Sequence, residues 1–373
     1  MLSAPCGQAR ALHAGMPPLD PAAPPVSFFE FWPGLLFYLP VWAWVLGLAL
    51  RHGSLRLPLV ANPSLPAGGL FGESKAQVLA LVGGDSRRWV APWILLNRTH
   101  GPARFDLAAA QAAVREAGLA LPLVAKPDLG CRGAGVRPVH TEAELASYLA
   151  AFPAGERLLL QQLVDWEGEA GVLYTRLPGR RCGHIWSLTL KYFPYVTGDG
   201  HRTLRQLIAD DQRAGLVEHL YLPRHADRLD WVVPAGERFR LCFAGSHSKG
   251  AIFRDGTHLV TRAMRARFDA IANDIPEFWF GRFDVRFEDI EALRRGEGFR
   301  IVEINGAGAE ATHIWDSRMT LPAAYRALFR QWSLLFRIGA ANRARGHRPE
   351  SLRDFLARRR CERRATALYP LTA

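Results

Sequence analysis

Two stretches of this sequence carry side chains whose types and spacing could do chemistry. The first is GRFDVRF (281–287), followed after a polar excursion by FRIVEIN (299–305). Alternate residues of a strand share a face, so Arg282, Asp284 and Arg286 point one way, as do Glu303 and Asn305 in the next strand. If the two strands pair, Asp284, Glu303 and Asn305 converge. Two carboxylates and an amide oxygen are hard ligands suited to Mg²⁺, an ion that commonly also binds nucleotide phosphates. Arg282 beside them could offset charge on a transferring phosphoryl group. Phe283, Val285, Val302 and Ile304 occupy the opposite face, which must pack on a core, and acids ordered beside a core need partners.

The second stretch is LVAKPDLGCRGAGV (123–136). A strand delivers Lys126 to a loop containing Gly130, Gly133 and Gly135. Backbone N–H groups of such a loop can turn onto phosphate oxygens while the ammonium adds a point charge. The pattern is neither GxxxxGK[ST] nor GxGxxG, so the P-loop and Rossmann fingerprints are excluded.

Lysine itself is informative. Of the 47 basic residues only four are lysines, namely Lys75, Lys126, Lys191 and Lys249; the rest are arginines. In so Arg-rich a chain, a lysine marks places where a slim ammonium is needed and a broad guanidinium does not fit.

The elements that must position these groups follow from patterning. Residues 106–118 read as a helix with Asp106 as N-cap, and 141–152 as a helix opened by a Thr141/Glu144 capping pattern. Strands are expected at 121–126, 157–164, 169–175, 184–191, 236–244, 251–254, 279–287 and 299–305. Further helices are expected at 203–214, 259–274 and 321–342. Strands come in groups between single helices, which favours an α+β fold over a doubly wound sheet.

The chain has 373 residues, with 49% hydrophobic and 22% charged residues, so wholesale disorder is excluded and two or three domains are expected. Five widely spaced cysteines without a CxxC pair argue against a disulfide framework or a Cys-rich zinc site. The net charge of +12 invites a nucleic-acid reading, but nine arginines fall between 343 and 364, and no nucleic-acid-binding motif accompanies them; no specific nucleic acid is expected.

Residues 1–27 read as a disordered tail. Residues 28–50 form an apolar stretch with Glu30 as its single charge, long enough to span a bilayer and rich in Trp and Tyr. Pro33 and Pro40 favour a bent or re-entrant insertion. The expected organisation is a tail (1–27), a hydrophobic membrane-associated segment (28–50), a reduced N-terminal region (51–118), a main domain (119–342) and a basic tail (343–373). The cations after residue 50 would keep the body in the cytoplasm, with 28–50 as the candidate attachment to the inner face of the membrane.

The order of these motifs resembles the ATP-grasp fold of carboxylate–amine ligases such as D-alanine–D-alanine ligase, over about Gly72 to Trp315. VTGDGHRTLRQLI (196–208) and VPAGERFRLCFAGSHSKGA (233–251) are similar to the ATP-grasp part of cyanophycin synthetase. The resemblance implies two α+β lobes holding ATP between them. It implies that Lys126 and Lys191 hold the phosphates, with Lys75 as a further upstream lysine, under a mobile loop of Gly130, Gly133 and Gly135. Gln161, Gln162, Leu163 and Val164 match the inter-lobe strand whose backbone reads adenine, and Glu169 the acid that bonds the ribose. Asp284, Glu303 and Asn305 match the ligands of two Mg²⁺ ions, for which Mn²⁺ can substitute, and Arg282 an arginine that steadies the tetrahedral intermediate. The implied activity joins a small-molecule carboxylate to an amine, an amino acid or peptide, through an acylphosphate, with release of ADP and phosphate. The alternatives are another enzyme on the same nucleotide site, a carboxylase or phosphotransferase, and a non-catalytic membrane-attached binding protein. The substrates, the oligomeric state and the role of Lys249 stay open. Gln161 and Gln162 stand where the family's linking strand often begins with Glu, and Cys242 where the cyanophycin-like segment would carry Arg. His313 and Asp316 could line an acceptor pocket or open a helix.

Overall fold

The computed structural model describes residues 12–130 and 133–372. Two antiparallel sheets organise it. The smaller runs in the order β1 (Trp93–Asn97), β4 (Arg157–Gln162), β2 (Leu123–Pro127), β3 (Arg137–Val139). The larger runs β11 (Phe299–Asn305), β10 (Phe280–Phe287), β5 (Gly168–Thr175), β6 (His184–Tyr192), β9 (Ile252–Asp255). A two-stranded ribbon of β7 (Tyr195–Thr197) and β8 (Arg238–Arg240) stands apart. The helices in chain order are α1 (Gly34–His52), α2 (Lys75–Ala80), α3 (Ala103–Glu116), α4 (Glu142–Ala151) and α5 (Leu204–Asp210). They continue with α6 (Glu218–Tyr221), α7 (Arg262–Asn273), α8 (Ile290–Arg294), α9 (Leu321–Ala344) and α10 (Leu352–Leu368). The α+β class expected from patterning is present.

Each sheet has its own core, which makes two lobes. In the small lobe, Leu123, Ala125, Leu158 and Leu160 pack against Ala110 of α3 and Leu145 and Leu149 of α4. In the large lobe, Val172, Leu188, Phe283, Val285 and Phe287 pack against Met264, Phe268 and Ile271 of α7. Leu159, on the other face of β4, joins that larger core and ties the lobes together. Caps set the helix starts: Thr141, Thr203 and Thr261 each accept a backbone N–H three residues on, and Thr203 and Gln206 complete a reciprocal capping box.

Several expectations need correcting. Residues 1–11 of the expected disordered tail lie outside the described residues; 12–27 pack on the body. Met16 and Leu19 join the large core, Ile290 N donates to Gly15 O, and Tyr192 donates to Pro17 O. The helix expected from Asp106 begins at Ala103, and Asp106 is buried inside its first turn. There it pairs with Arg98 and accepts from Thr99 N, so it fastens the preceding loop. The boundary expected at 118/119 does not separate two bodies. Segment 93–118 supplies β1 and α3 to the small lobe, with Trp93 opposite Gln161. The strand expected at 236–244 is only the short β8. The apolar segment forms one helix, α1, which runs through Pro40. Pro33 precedes its first turn, where no intrahelical N–H is lost. Finally, the basic tail is not free: α10 is capped by Ser351 and docks against the loops described next.

Candidate functional site

The site begins with the pairing of β10 and β11. Asp284 stands opposite Glu303, and Arg282 opposite Asn305, as alternation predicts. The register then shifts, so that Val285 faces Ile301 and Val302 has no partner across the ladder. This bulge frees the Val302 carbonyl. Lys126, at the end of β2 in the other lobe, donates to that carbonyl at 2.8 Å and to Gln161 Oε1 at 2.8 Å.

Asp284 is saturated. Arg282 grips it with two N–H groups, Nε at 2.8 Å and Nη2 at 3.0 Å, while Lys191 donates at 2.9 Å and Asn305 Nδ2 at 3.1 Å. Burial alone would raise the Asp284 pKa, but Arg282 and then Lys191 outweigh it and hold the carboxyl below its ordinary range. Lys191 also bonds Glu169 at 3.1 Å, and Arg286 lies 3.2 Å from the second Glu169 oxygen. Burial pulls the Lys191 ammonium down, yet Asp284 and Glu169 together leave its pKa raised. These groups fit because β5 carries Gly171 opposite Asp284; a Cβ there would lie 2.9 Å from Arg282 Cδ.

Lys75 arrives from the other side. Ser74 caps α2 and donates to Asp128 at the end of β2, while Lys75 N donates to Asp128 O. These bonds aim the Lys75 ammonium at Gly130 O and place it 3.6 Å from Glu303. Burial lowers the pKa of Lys126 to about 8, opposed by Glu303 and reinforced by Lys75. Three of the four lysines of the chain therefore surround the pair Asp284 and Glu303. The fourth, Lys249, lies elsewhere in a turn, near Arg224.

Two participants were missed from sequence. Glu73 accepts from Gly306 N at 3.2 Å, its other oxygen is buried without a hydrogen-bond partner, and burial raises its pKa to about 8. Its place two residues before Lys75 was the available signal. Arg286 shares the face of Arg282 and Asp284, and that alternation could have given it a role.

The linking segment divides. Gln161 points into the lysine cluster and also donates to Ala91 O at 3.1 Å. Gln162 turns away to Pro122 O, and Leu163 N is taken by the same carbonyl; Val164 follows at the lobe border. In the Gly-rich loop, Gly130, Gly133 and Gly135 all have positive φ, which favours glycine. Gly130 meets Lys75, whereas Gly133 and Gly135 are held by the C-terminal segment. Thr372 Oγ1 donates to Gly133 O at 2.8 Å and accepts from Gly135 N at 3.2 Å. Tyr369 stacks on Phe152 beside Gly135. His313 bonds Ser187 at 2.7 Å within a short helical turn over Thr312–Trp315, and Asp316, which follows it, accepts from Asp255 N and Arg318.

Among the described residues no three His, Cys, Asp or Glu side chains gather at one point; the candidate metal set is two carboxylates and an amide. Around it gather Lys75, Lys126, Lys191, Arg282 and Arg286, with Glu169, Asp284 and Glu303 as their partners and Glu310 and Glu167 within electrostatic reach. Such a gathering of lysines and arginines suits a polyanion.

No family model and no curated protein sequence matches the chain. Among solved structures it is similar to a bifunctional glutathione synthetase from Pasteurella multocida (15% identity, 71% of this chain, 38% of that one, TM-score 0.33). It is similar also to D-alanine–D-alanine ligase from Bacillus anthracis (12% identity, 76% of this chain, 72% of that one, TM-score 0.41). A third is the D-Ala:D-Ser ligase VanG from Enterococcus faecalis (14% identity, 73% of this chain, 62% of that one, TM-score 0.40). The chain thus spans little more than a third of the length of the first.

Proposed function

We propose that this protein is an ATP- and Mg²⁺-dependent ligase that joins a carboxylate to an amine through an acylphosphate, releasing ADP and phosphate. The observation that carries this reading is the convergence of Lys75, Lys126, Lys191 and Arg282, from both lobes, on the paired carboxylates Asp284 and Glu303. A nucleotide polyphosphate is a polyanion that such a gathering of cations suits.

Of the two carboxylates and the amide, only Glu303 is free to take a divalent ion as the side chains stand, because Arg282, Lys191 and Asn305 occupy Asp284. Glu303 is the accessible ligand, with one cation 3.6 Å away and its side chain 31% exposed, and Asp284 and Asn305 flank it. Mg²⁺ would neutralise phosphate charge and orient the phosphoryl group for transfer. The chain's own residues do the rest. Lys126 and Lys191 bind phosphate oxygens; Arg282, fixed by its two bonds to Asp284 and by one from Nη1 to Glu310 O at 3.3 Å, turns its remaining N–H groups to charge developing on the attacked carbonyl. Glu73, whose pKa burial raises to about 8, stands beside Lys75 at the edge of the phosphate-binding cations. The Gly-rich loop covers the phosphates and excludes water.

The substrates proposed are a small carboxylate and an amino acid or peptide amine. The test is ADP release by purified protein with Mg²⁺, ATP and pooled carboxylates and amino acids, with mass spectrometry of the product. An amide product supports the reading. A folded protein that neither binds ATP nor releases ADP with any pair refutes it.

A further inference from the structure

Helix α1 is long and apolar enough by length and composition to cross a membrane, yet it is used from two sides. Phe37, Val41, Val45 and Leu48 are buried against the large lobe and α9. The opposite side carries Leu35, Leu39, Trp42, Leu46 and Leu50, a stripe recurring every three to four residues. Leu35 is 81% exposed and Leu50 85%. Such a contiguous apolar stripe on a folded chain marks an interaction surface.

Helix α9 lies alongside. Tyr325 donates to Phe37 O, and Trp44 stacks on Phe329 and donates to its carbonyl and to Ser333. The face of α9 opposite its buried residues carries Arg326, Arg330 and Arg337, all exposed. Because both helices bury their inner faces in one core, both outer faces look out from the same side of the molecule. At the seam lies a shallow groove of about 640 Å³, floored by Trp44, Tyr325 and Phe329 and rimmed by Arg326 and Arg330.

We propose that this side of the molecule docks on the surface of an anionic phospholipid bilayer. Helix α1 lies in the plane of the interface with its outer leucines among the acyl chains, and the α9 arginines meet lipid phosphates. Three observations select this occupant. First, α1 cannot span, because its inner face is committed to the body; crossing would carry the α9 arginines into hydrocarbon, where charge is disfavoured. Second, neither α1 nor α9 contains an Asp or Glu. A second copy seated on this patch would find no acid on either helix to pair with the α9 arginines, which the phosphates of an anionic bilayer supply. Third, an apolar stripe beside a row of arginines, with tryptophans at the seam, is the composition of an interfacial helix. This inference stands whether or not the ligase reading holds.

The measurement is co-flotation of the full chain with vesicles of phosphatidylcholine alone or mixed with phosphatidylglycerol. Wild-type protein is expected to float with the anionic vesicles, and much less with neutral ones or at high salt. Leu39→Glu/Leu46→Glu should lower the bound-to-free ratio roughly tenfold or more, with the circular dichroism and Tm of wild type. Arg326→Glu/Arg330→Glu should abolish the anionic preference alone. Wild-type protein that stays at the bottom of the gradient with both vesicles overturns the proposal. So does a wild-type dimer by light scattering that the leucine variant converts to monomer, which would assign the face to a second copy. If the leucine variant unfolds, tryptophan emission of wild-type protein and of Trp42→Phe on titration with the same vesicles decides: a blue shift that Trp42→Phe reduces supports docking, and identical responses of the two proteins refute it.

Discussion

Lys126 and Val302 belong to different sheets, and the Lys126 ammonium crosses between the lobes to the carbonyl that a bulge in β11 leaves unpaired. The bond is a latch made from a group that a polyphosphate would also claim. Lys126→Met should therefore weaken ATP binding and also loosen the lobes. Calorimetric ATP titration should show a loss of at least tenfold, and the free protein should gain amide exchange along β2 and β11. Weakened binding with unchanged exchange would make Lys126 a phosphate ligand only.

The two candidate metal carboxylates should respond differently to neutralisation. Glu303 has a single cation 3.6 Å away and is partly exposed. Glu303→Gln should leave Tm within a few degrees of wild type and reduce Mg²⁺-dependent ADP release by a hundredfold or more. Asp284 balances buried Arg282 and Lys191. Asp284→Asn leaves buried Arg282 without its carboxylate and Lys191 with Glu169 alone, and should cost about 3–5 kcal/mol of stability in denaturant unfolding. A soluble Glu303→Gln protein with normal turnover would refute the metal assignment.

Nucleotide affinity should fall between pH 7 and pH 9. The sign is the same for both groups that titrate near pH 8. Deprotonation of Lys126 removes a positive charge, and deprotonation of Glu73 adds a negative one. Bound polyphosphate favours the charged ammonium, so binding above pH 8 should take up protons, visible as a buffer-dependent heat. Glu73→Gln should remove part of the decline. A flat affinity profile across this range would contradict the placement of both groups at the phosphates.

Thr372 should matter to the Gly-rich loop 239 residues before it in sequence. Thr372→Val removes one bond given to Gly133 and one taken from Gly135, about 1 kcal/mol in a partly buried setting. The expected effect is a roughly fivefold weaker ATP affinity with little change in Tm. A Thr372→Ser variant should restore the affinity, since it keeps the hydroxyl.

Asn62 is fully buried and makes four bonds, giving to Gly68 O and Phe280 O and receiving from Trp279 N and Phe280 N. It fixes the 66–75 loop that carries Glu73 and Lys75 against β10. Asn62→Ala leaves these backbone groups unsatisfied and should destabilise by about 2–3 kcal/mol, measured by urea unfolding.

Alternation along GRFDVRF and FRIVEIN was enough to read the face that carries Arg282, Asp284, Glu303 and Asn305, because strand geometry is local. Lysine scarcity pointed to Lys75, Lys126 and Lys191, since a chain that uses arginine for generic charge keeps lysine where shape matters. The Thr141/Glu144 capping pattern gave the start of α4. What stayed hidden depended on distant partners. Asp106 looked like a cap because nothing local showed that Arg98 would claim it. The Val302 bulge, the orphan oxygen of Glu73 and the contact of Thr372 with the Gly-rich loop arise only from tertiary packing. The tail at 12–27 looked disordered because its few apolar residues, Met16 and Leu19 among them, find their cover only on the finished core.

The lysine arrangement also makes the protein its own probe. A reagent that acylates side-chain amines has four targets in 373 residues, and three of them meet around Asp284 and Glu303 where the two sheets join. Lys126 and Lys191 are nearly inaccessible with the lobes as described, while Lys249 is partly exposed away from that junction. Mass-spectrometric labelling ratios against Lys249 thus give a gauge of lobe separation that needs no engineered label.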